Sequence, residues 1–289
     1  MKDVKILSTS FLHSFAIKND GSLWTWGLHN DSEISEAIKE KKLIPIQILS
    51  DVKTVAAGSW HSLAVKNDGT LWSWGSNNLG QLGDGTYKDK ITPVKILDDV
   101  KQVAAGEAHS LVLKNDGTVW SWGDNSCGQL GDGNFSKDGM FLSQCTPVKS
   151  LLSDVKAVEA GSYYSFAIKN DGTLWAWGEN YNGSLGDGTE IDKPIPTQIL
   201  SDIKEVSVGF DFTLALKNDG TVLAWGDNFY CQLGDAKSLK KLTPTQITEV
   251  ENIKDISAGS RHALALGSSG QAYSWGEIII NSWERALMT

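Results

Sequence analysis

The residues best suited to chemistry recur at one place in the chain. Four of the five histidines, His13, His61, His109 and His262, each stand six positions before the Asn of a Lys-Asn-Asp-Gly turn or its equivalent Ser268. A metal centre or acid–base pair would need several of them to converge. One histidine per period, with Tyr164 and Phe212 filling the same slot elsewhere, argues instead for a structural ring nitrogen bonded to a neighbouring strand. A second group is Asp84, Asp132, Asp187 and Asp235, each in a Gly-Asp loop. Calcium wants several oxygen donors on one short loop, and each of these loops has one aspartate, so turn-forming hydrogen bonds are expected. No GxSxG, Walker loop, dinucleotide fingerprint or HExxH is present. The expectation is a protein with no catalytic residues, no metal and no cofactor, and not an enzyme.

The elements that hold these residues are written in a repeat. A Trp-x-Trp-Gly phrase or its relative ends at Gly27, Gly75, Gly123, Gly178, Gly226 and Gly276, at intervals of 48, 48, 55, 48 and 50 residues. Such a period marks tandem supersecondary units, each unable to bury its apolar face alone. Residues 51–98 serve as a specimen. Val52–Ala56 is an extended piece; Ser62–Lys66 alternates apolar and polar as a half-buried strand does. Asn67-Asp68-Gly69 makes a tight turn, and Leu71–Trp74 returns with Trp72 and Trp74 on one face. A polar loop, Gly80 to Gly85, leads to a last strand opened by Pro93, a residue suited to an edge. Four short strands in about fifty residues is the size of a β-propeller blade. The fold expected is all-β, a propeller of six tandem four-stranded repeats in one domain over 1–289. Its repeats are 3–50, 51–98, 99–153, 154–201, 202–250 and a shortened 251–289. One helix is predicted, over 31–42, where Ile34, Ala37 and Ile38 share a side.

Composition narrows the function. The formal net charge of −9 comes without a basic block, so nucleic acid is not an expected partner. Cys127, Cys145 and Cys231 form no CxxC and leave one thiol unpaired in any disulfide scheme, which favours a reducing compartment. The N-terminal residues lack the apolar core of a signal peptide and no run is long enough to span a membrane, so a cytoplasmic monomer is expected.

The wording of the repeat is itself informative. Val-Ala-Ala-Gly-x-x-His-Ser-Leu at 55–63 and 103–111, Trp-Ser-Trp-Gly at 72–75 and 120–123, and Gly-Gln-Leu-Gly-Asp-Gly at 80–85 and 128–133 resemble the regulator-of-chromosome-condensation repeat. The resemblance spans essentially the whole chain and implies a propeller, usually of seven blades, where six repeats are counted here. It also implies a range of activities: members include exchange factors for a small GTPase, a plant ultraviolet photoreceptor and a β-lactamase inhibitor. The photoreceptor's chromophore stretch is matched only by Trp60 beside His61, and the one Arg before a histidine is Arg261, so that activity is set aside.

Two places differ between repeats while their flanks stay constant. The pair between the glycine and the histidine slot reads Phe11-Leu12, Ser59-Trp60, Glu107-Ala108, Ser162-Tyr163, Phe210-Asp211 and Ser260-Arg261. These turns should lie along one rim, and large aromatics with acids and an arginine suit a protein-binding surface. The rim residues are therefore Phe11, Leu12, Trp60, Glu107, Tyr163, Phe210, Asp211 and Arg261. The other place is an insertion in repeat three, Asn134 to Cys145, with Asn134, Phe135, Met140, Phe141 and Leu142 able to form a protruding wedge. The function expected is a non-catalytic scaffold binding a protein partner through the rim. The alternatives implied by the resemblance are nucleotide exchange on a small GTPase through the 134–145 loop, and inhibition of an enzyme.

Overall fold

Each repeat forms one antiparallel sheet whose strands follow in chain order, with tight turns such as Asn67-Asp68-Gly69 between the second and third strands and a longer polar loop such as 76–89 before the fourth. The computed structural model describes residues 1–9, 13–27, 44–136 and 142–277. Blade one comprises β1 (Val4–Thr9), β2 (His13–Lys18), β3 (Leu23–Gly27) and β4 (Ile46–Leu49). Blade two comprises β5 (Val52–Ala57), β6 (His61–Lys66), β7 (Leu71–Gly75) and β8 (Lys90–Leu97). Blade three has β9 (Val100–Ala105), β10 (His109–Lys114), β11 (Val119–Asp124) and β12 (Ser143–Lys149). Blade four has β13 (Val155–Ala160), β14 (Tyr164–Lys169), β15 (Leu174–Gly178) and β16 (Lys193–Leu200). Blade five has β17 (Ile203–Val208), β18 (Phe212–Lys217), β19 (Val222–Asp227) and β20 (Lys240–Gln246). Blade six contributes three strands among the described residues, β21 (Ile253–Ala258), β22 (His262–Gly267) and β23 (Ala272–Gly276).

The turn chemistry repeats with the strands. At the second turn of each blade, Gly69 adopts φ 82° and its equivalents do the same, a conformation open to glycine at little cost. Asp68 accepts hydrogen bonds from the backbone N–H and hydroxyl of Thr70, at 2.9 and 2.7 Å. The Thr70 hydroxyl in turn accepts from Trp72 Nε1 at 3.0 Å, and the Lys66 ammonium sits 4.8 Å from the Trp72 ring centre. The first tryptophan of each pair is thus fixed by its own turn. The outer strand starts earlier than proline predicts: β8 begins at Lys90, three residues before Pro93. Pro93 sits inside an edge strand, where its missing N–H faces no partner.

The cores lie between blades rather than within them. Phe15, Ile17 and Leu23 of blade one pack with Val52, Val55, Ala64 and Trp74 of blade two. Leu63, Val65 and Leu71 of blade two pack with Val100, Val103, Val112 and Trp122 of blade three, and the pattern recurs between blades three and four and between five and six. Two compact units are present, residues 1–180 with 191–201, and residues 181–190 with 202–289. The predicted helix over 31–42 falls outside the described residues, as do Phe11, Leu12, Met140 and Phe141.

Candidate functional site

The recurrent histidines are absorbed by the joints between blades. His61 Nε2 lies 2.9 Å from the Ser110 hydroxyl of the next blade, and His109 Nε2 lies 3.0 Å from Ser165. His13 makes the same contact with Ser62 at 3.4 Å. Ser110 donates its proton to the Gln81 carbonyl at 2.7 Å, and Ser165 donates to Gln129 at 3.0 Å. A hydroxyl has one proton, so each serine oxygen accepts from a protonated Nε2, which leaves Nδ1 without a proton. Nδ1 of His61 and of His109 has no hydrogen-bond partner. Burial pulls His61 down to about 3, helped by the charges of His109 and His13, and burial alone takes His109 to about 4. Both rings are neutral near pH 7 and sealed from solvent. His262 differs, being exposed.

The second tryptophan of each pair completes the joint. Trp122 Nε1 donates to the same Gln81 carbonyl at 2.9 Å, and Trp177 does so to Gln129 at 2.9 Å. In the second unit Trp225 donates to Ser184 O at 2.8 Å and Trp275 to Gln232 O at 2.9 Å. Gly83 has φ 74°, and a Cβ there would meet the Trp122 ring at 2.7 Å, so the loop glycine is what lets the indole seat. The loop aspartates act locally: Asp84 accepts from the Thr86 N–H and hydroxyl, from Asn77 Nδ2 at 3.1 Å, and pairs with Lys90 at 3.1 Å.

The first-to-second-strand turns and the third-to-fourth-strand loops emerge at the same end of each sheet, and there the surface varies. In the first unit, consecutive turns are tied through the backbone, Ser59 N–H to Gly106 O at 3.4 Å and Glu107 N–H to Ser162 O at 2.9 Å. Trp60 is half-buried, as is Tyr163, whose hydroxyl is hydrogen-bonded to the Glu107 carboxylate. Burial and then Glu107 push the Tyr163 phenol well above its ordinary value, with Asp124 and Glu179 adding to the effect. The same acidic neighbourhood acts on Cys127, whose thiol is pushed up to about 12, first by burial and then by Asp192, Glu179 and Asp124. Cys127 is therefore a protonated, unreactive thiol.

The second unit presents a different surface. Phe210 is 49% exposed and Phe229 is 66% exposed. Phe229 meets the Tyr230 ring edge-on at 5.0 Å, and the Arg261 guanidinium stacks 4.5 Å from the Tyr230 centre. Arg261 also reaches Glu277 at 3.6 Å. The Phe210 N–H donates to Ser260 O at 3.1 Å, joining the two turns. Burial and then the Asp227 charge raise the Asp211 carboxyl, which accepts from Asn182 Nδ2 at 3.4 Å. Phe210, Asp211 and Arg261 are thereby brought onto one surface, joined by Phe229 and Tyr230, which the sequence reading passed over. Their signal was available: the third and fourth residues after Trp-Gly vary as freely as the rim pairs, reading Asn78-Leu79, Ser126-Cys127, Tyr181-Asn182 and Phe229-Tyr230. Of the wedge residues, Asn134 is held by Asp132 at 3.0 and 2.9 Å, Phe135 and Leu142 are half-buried, and the Leu142 carbonyl accepts from Asn125 N–H at 2.7 Å.

Comparison with known proteins bears on this geometry. A family model described as RCC1-like domain matches residues 1–278. The crystal structure of Prp20p from Saccharomyces cerevisiae superimposes with a TM-score of 0.82 at 26% identity, over 94% of this chain and 72% of that one; its description concerns binding to Gsp1p and histones. Yeast RCC1 (Prp20) bound to Kap60 gives 0.83 at 24% identity, over 94% and 70%. Human WBSCR16 gives 0.80 at 22%, over 92% and 72%. In sequence, the RCC1 domain-containing protein RUG3, mitochondrial, of Arabidopsis thaliana is 36% identical over 61 residues, which take in 20% of this chain and 14% of that protein. Among the described residues no helix is long and apolar enough to cross a membrane, and no cluster of His, Cys, Asp or Glu is placed to hold a metal ion.

Proposed function

The chain belongs to the RCC1-like domain family, and from that premise we propose that it is a protein-binding module. Its docking surface is formed by Phe210, Asp211, Phe229, Tyr230 and Arg261. The observation that carries this reading is the pair of exposed rings, Phe210 and Phe229, grouped around an arginine already stacked on Tyr230. Aromatic residues and arginine are what interface hot spots are made of, and a pre-stacked guanidinium loses little further freedom on binding. Asp211 has no cation beside it among the described residues, so the partner should bring a lysine or arginine next to an apolar side chain. The structural neighbour Prp20p, whose description names protein partners, supports a protein ligand in kind though not in identity.

The test is cross-linking mass spectrometry of the chain in a lysate of its source, with Phe210→Ala/Phe229→Ala and a variant cut back between residues 134 and 142. The aromatic variant should lose the partner, each ring contributing about 2 kcal/mol at a hot spot, and the loop variant should keep it. Loss in the loop variant alone, accompanied by faster nucleotide release from the captured protein, would reject the aromatic surface in favour of exchange on a GTPase.

A further inference from the structure

One lysine per blade is used neither by the cores nor by the rim. Lys5, Lys53, Lys101 and Lys156 occupy the second position of β1, β5, β9 and β13 in the first unit. Each is the extra residue of a β-bulge. In blade two, Val52 pairs with Lys66 and Thr54 with Val65, leaving Lys53 without an opposite number, and the other three blades shift register at the same point. A bulge turns its extra side chain out of the alternation of the strand, and bulges are kept where a side chain must be aimed. The first strands of blades one to four lie side by side in sequence order, so the bulges form a row. Lys101 Nζ lies along that row, donating to the Lys156 carbonyl at 3.2 Å.

The row is uncompensated. No carboxylate among the described residues pairs with any of the four lysines. Of the aspartates two residues earlier, Asp51 accepts from Asn67 Nδ2 at 2.6 Å and Asp154 from Asn170 Nδ2 at 2.7 Å. The residues that follow the lysines are Ile6, Thr54, Gln102 and Ala157, all uncharged. Blades five and six supply the contrast. Their bulge lysines, Lys204 and Lys254, are followed by Glu205 and Asp255, which hydrogen-bond to one another, and burial with the Asp255 charge pushes Glu205 up to about 7. There the charge of Lys204 acts on a carboxylate of the chain's own. In blades one to four the four lysines hold the same bulge position on neighbouring strands, a local concentration of positive charge in a chain of net charge −9 that suits an anion from outside the chain.

We propose that Lys5, Lys53, Lys101 and Lys156 form a binding site for a compact multivalent oxyanion, a short chain of phosphates being the simplest ligand of that class. Lysine suits this task as a mobile point charge with three donors, and charge-assisted contacts to phosphate oxygens are among the stronger hydrogen bonds.

The probe is sodium tripolyphosphate, titrated calorimetrically into the full chain at low ionic strength. Saturable binding of one ligand per chain is expected, weakening as salt rises. Lys53→Gln/Lys101→Gln should weaken it at least tenfold, whereas Lys88→Gln/Lys95→Gln, which removes the same charge elsewhere on blade two, should leave it unchanged. Because Lys101 also holds the next strand, Lys5→Gln/Lys53→Gln is the companion variant, with melting curves to show that both are folded. Equal weakening in the control pair, or no saturable binding at all, overturns the site. A single-stranded oligonucleotide that binds more tightly than tripolyphosphate overturns the compact ligand in favour of a nucleic-acid backbone.

Discussion

Blades three and six share the histidine, the second-strand leucines and the closing Trp-Gly, and are buried very differently. Leu111 in β10 is 0% exposed, while Leu264 at the same place in β22 is 45% exposed. His109 is sealed and bonded to Ser165, while His262 is open. Trp122 is fully buried, whereas Trp275 keeps its hydrogen bond to Gln232 O but remains half-buried. The same residue at the same place in the blade is thus core in one blade and surface in the other. Burial here belongs to the joint between two blades and not to the blade, which is the energetics expected of a quasi-one-dimensional repeat protein.

That contrast can be broken or sharpened by substitution. The largest effect should come from Trp122→Ala, which empties a sealed joint and orphans one donor's place on Gln81 O. About 3–5 kcal/mol of stability should be lost in a urea titration, against a markedly smaller loss for Trp275→Ala. Equal losses would show that blade six is as tightly built as blade three. Leu111→Ala should cost about 2–5 kcal/mol, and Leu264→Ala no more than about 0.5 kcal/mol, the range of an ordinary surface change. Glycines give a third comparison. Gly131→Ala drives a methyl to 2.7 Å from Trp177 and keeps φ at 66°, and overpacking of this kind costs about 1–3 kcal/mol. Gly270→Ala, at φ 90° with open space around it, should show only the backbone term of roughly 1 kcal/mol. Differential scanning calorimetry of the two variants separates clash from strain.

A separate comparison concerns acid. His61 and His109 have folded-state values far below the unfolded value of 6.5, so the stability they confer is complete above pH 6.5. It is lost as pH falls from there toward about 4 and 3, because the unfolded chain binds the proton first. Over the first pH unit below 6.5 the loss should be roughly 1 kcal/mol per histidine. Asp68 and Asp116, held below the usual carboxylate value chiefly by Thr70 and Thr118, add their own loss only at lower pH. Denaturant midpoints of the native chain and His61→Gln, compared between pH 7 and 5, isolate the histidine share. Parallel curves would mean that His61 is hydrated or already charged.

The blade was legible because each of its devices is local. Lys66-Asn67-Asp68-Gly69 specifies a turn wherever it stands, and Trp72-Ser73-Trp74 alternates on a strand by geometry alone. The histidine's partner was foreseen only as a neighbouring strand, since Ser110 lies 49 residues from His61 and nothing local joins them. The rim was half legible. Phe210 and Arg261 stand in turns whose flanks are constant, which marks them. Phe229 and Tyr230 lie in another loop and join that surface only because the meander returns both loops to the same end of the sheet. The bulge at Lys53 shows in the sequence only as two buried residues, Val52 and Val55, standing one residue out of step, which does not by itself name Lys53 as the extra residue.

The Gln81 carbonyl receives the Ser110 hydroxyl and the Trp122 indole, 29 and 41 residues further along the chain. During synthesis, then, the loop of blade two has no partners for its carbonyl until most of blade three has left the ribosome. At 5–20 residues per second that interval is roughly 2–8 s. From blade two on, the chain is finished like a zip fastener, each new blade's tryptophan locking the loop before it, so that a pause in translation should leave only the most recent of these joints undone.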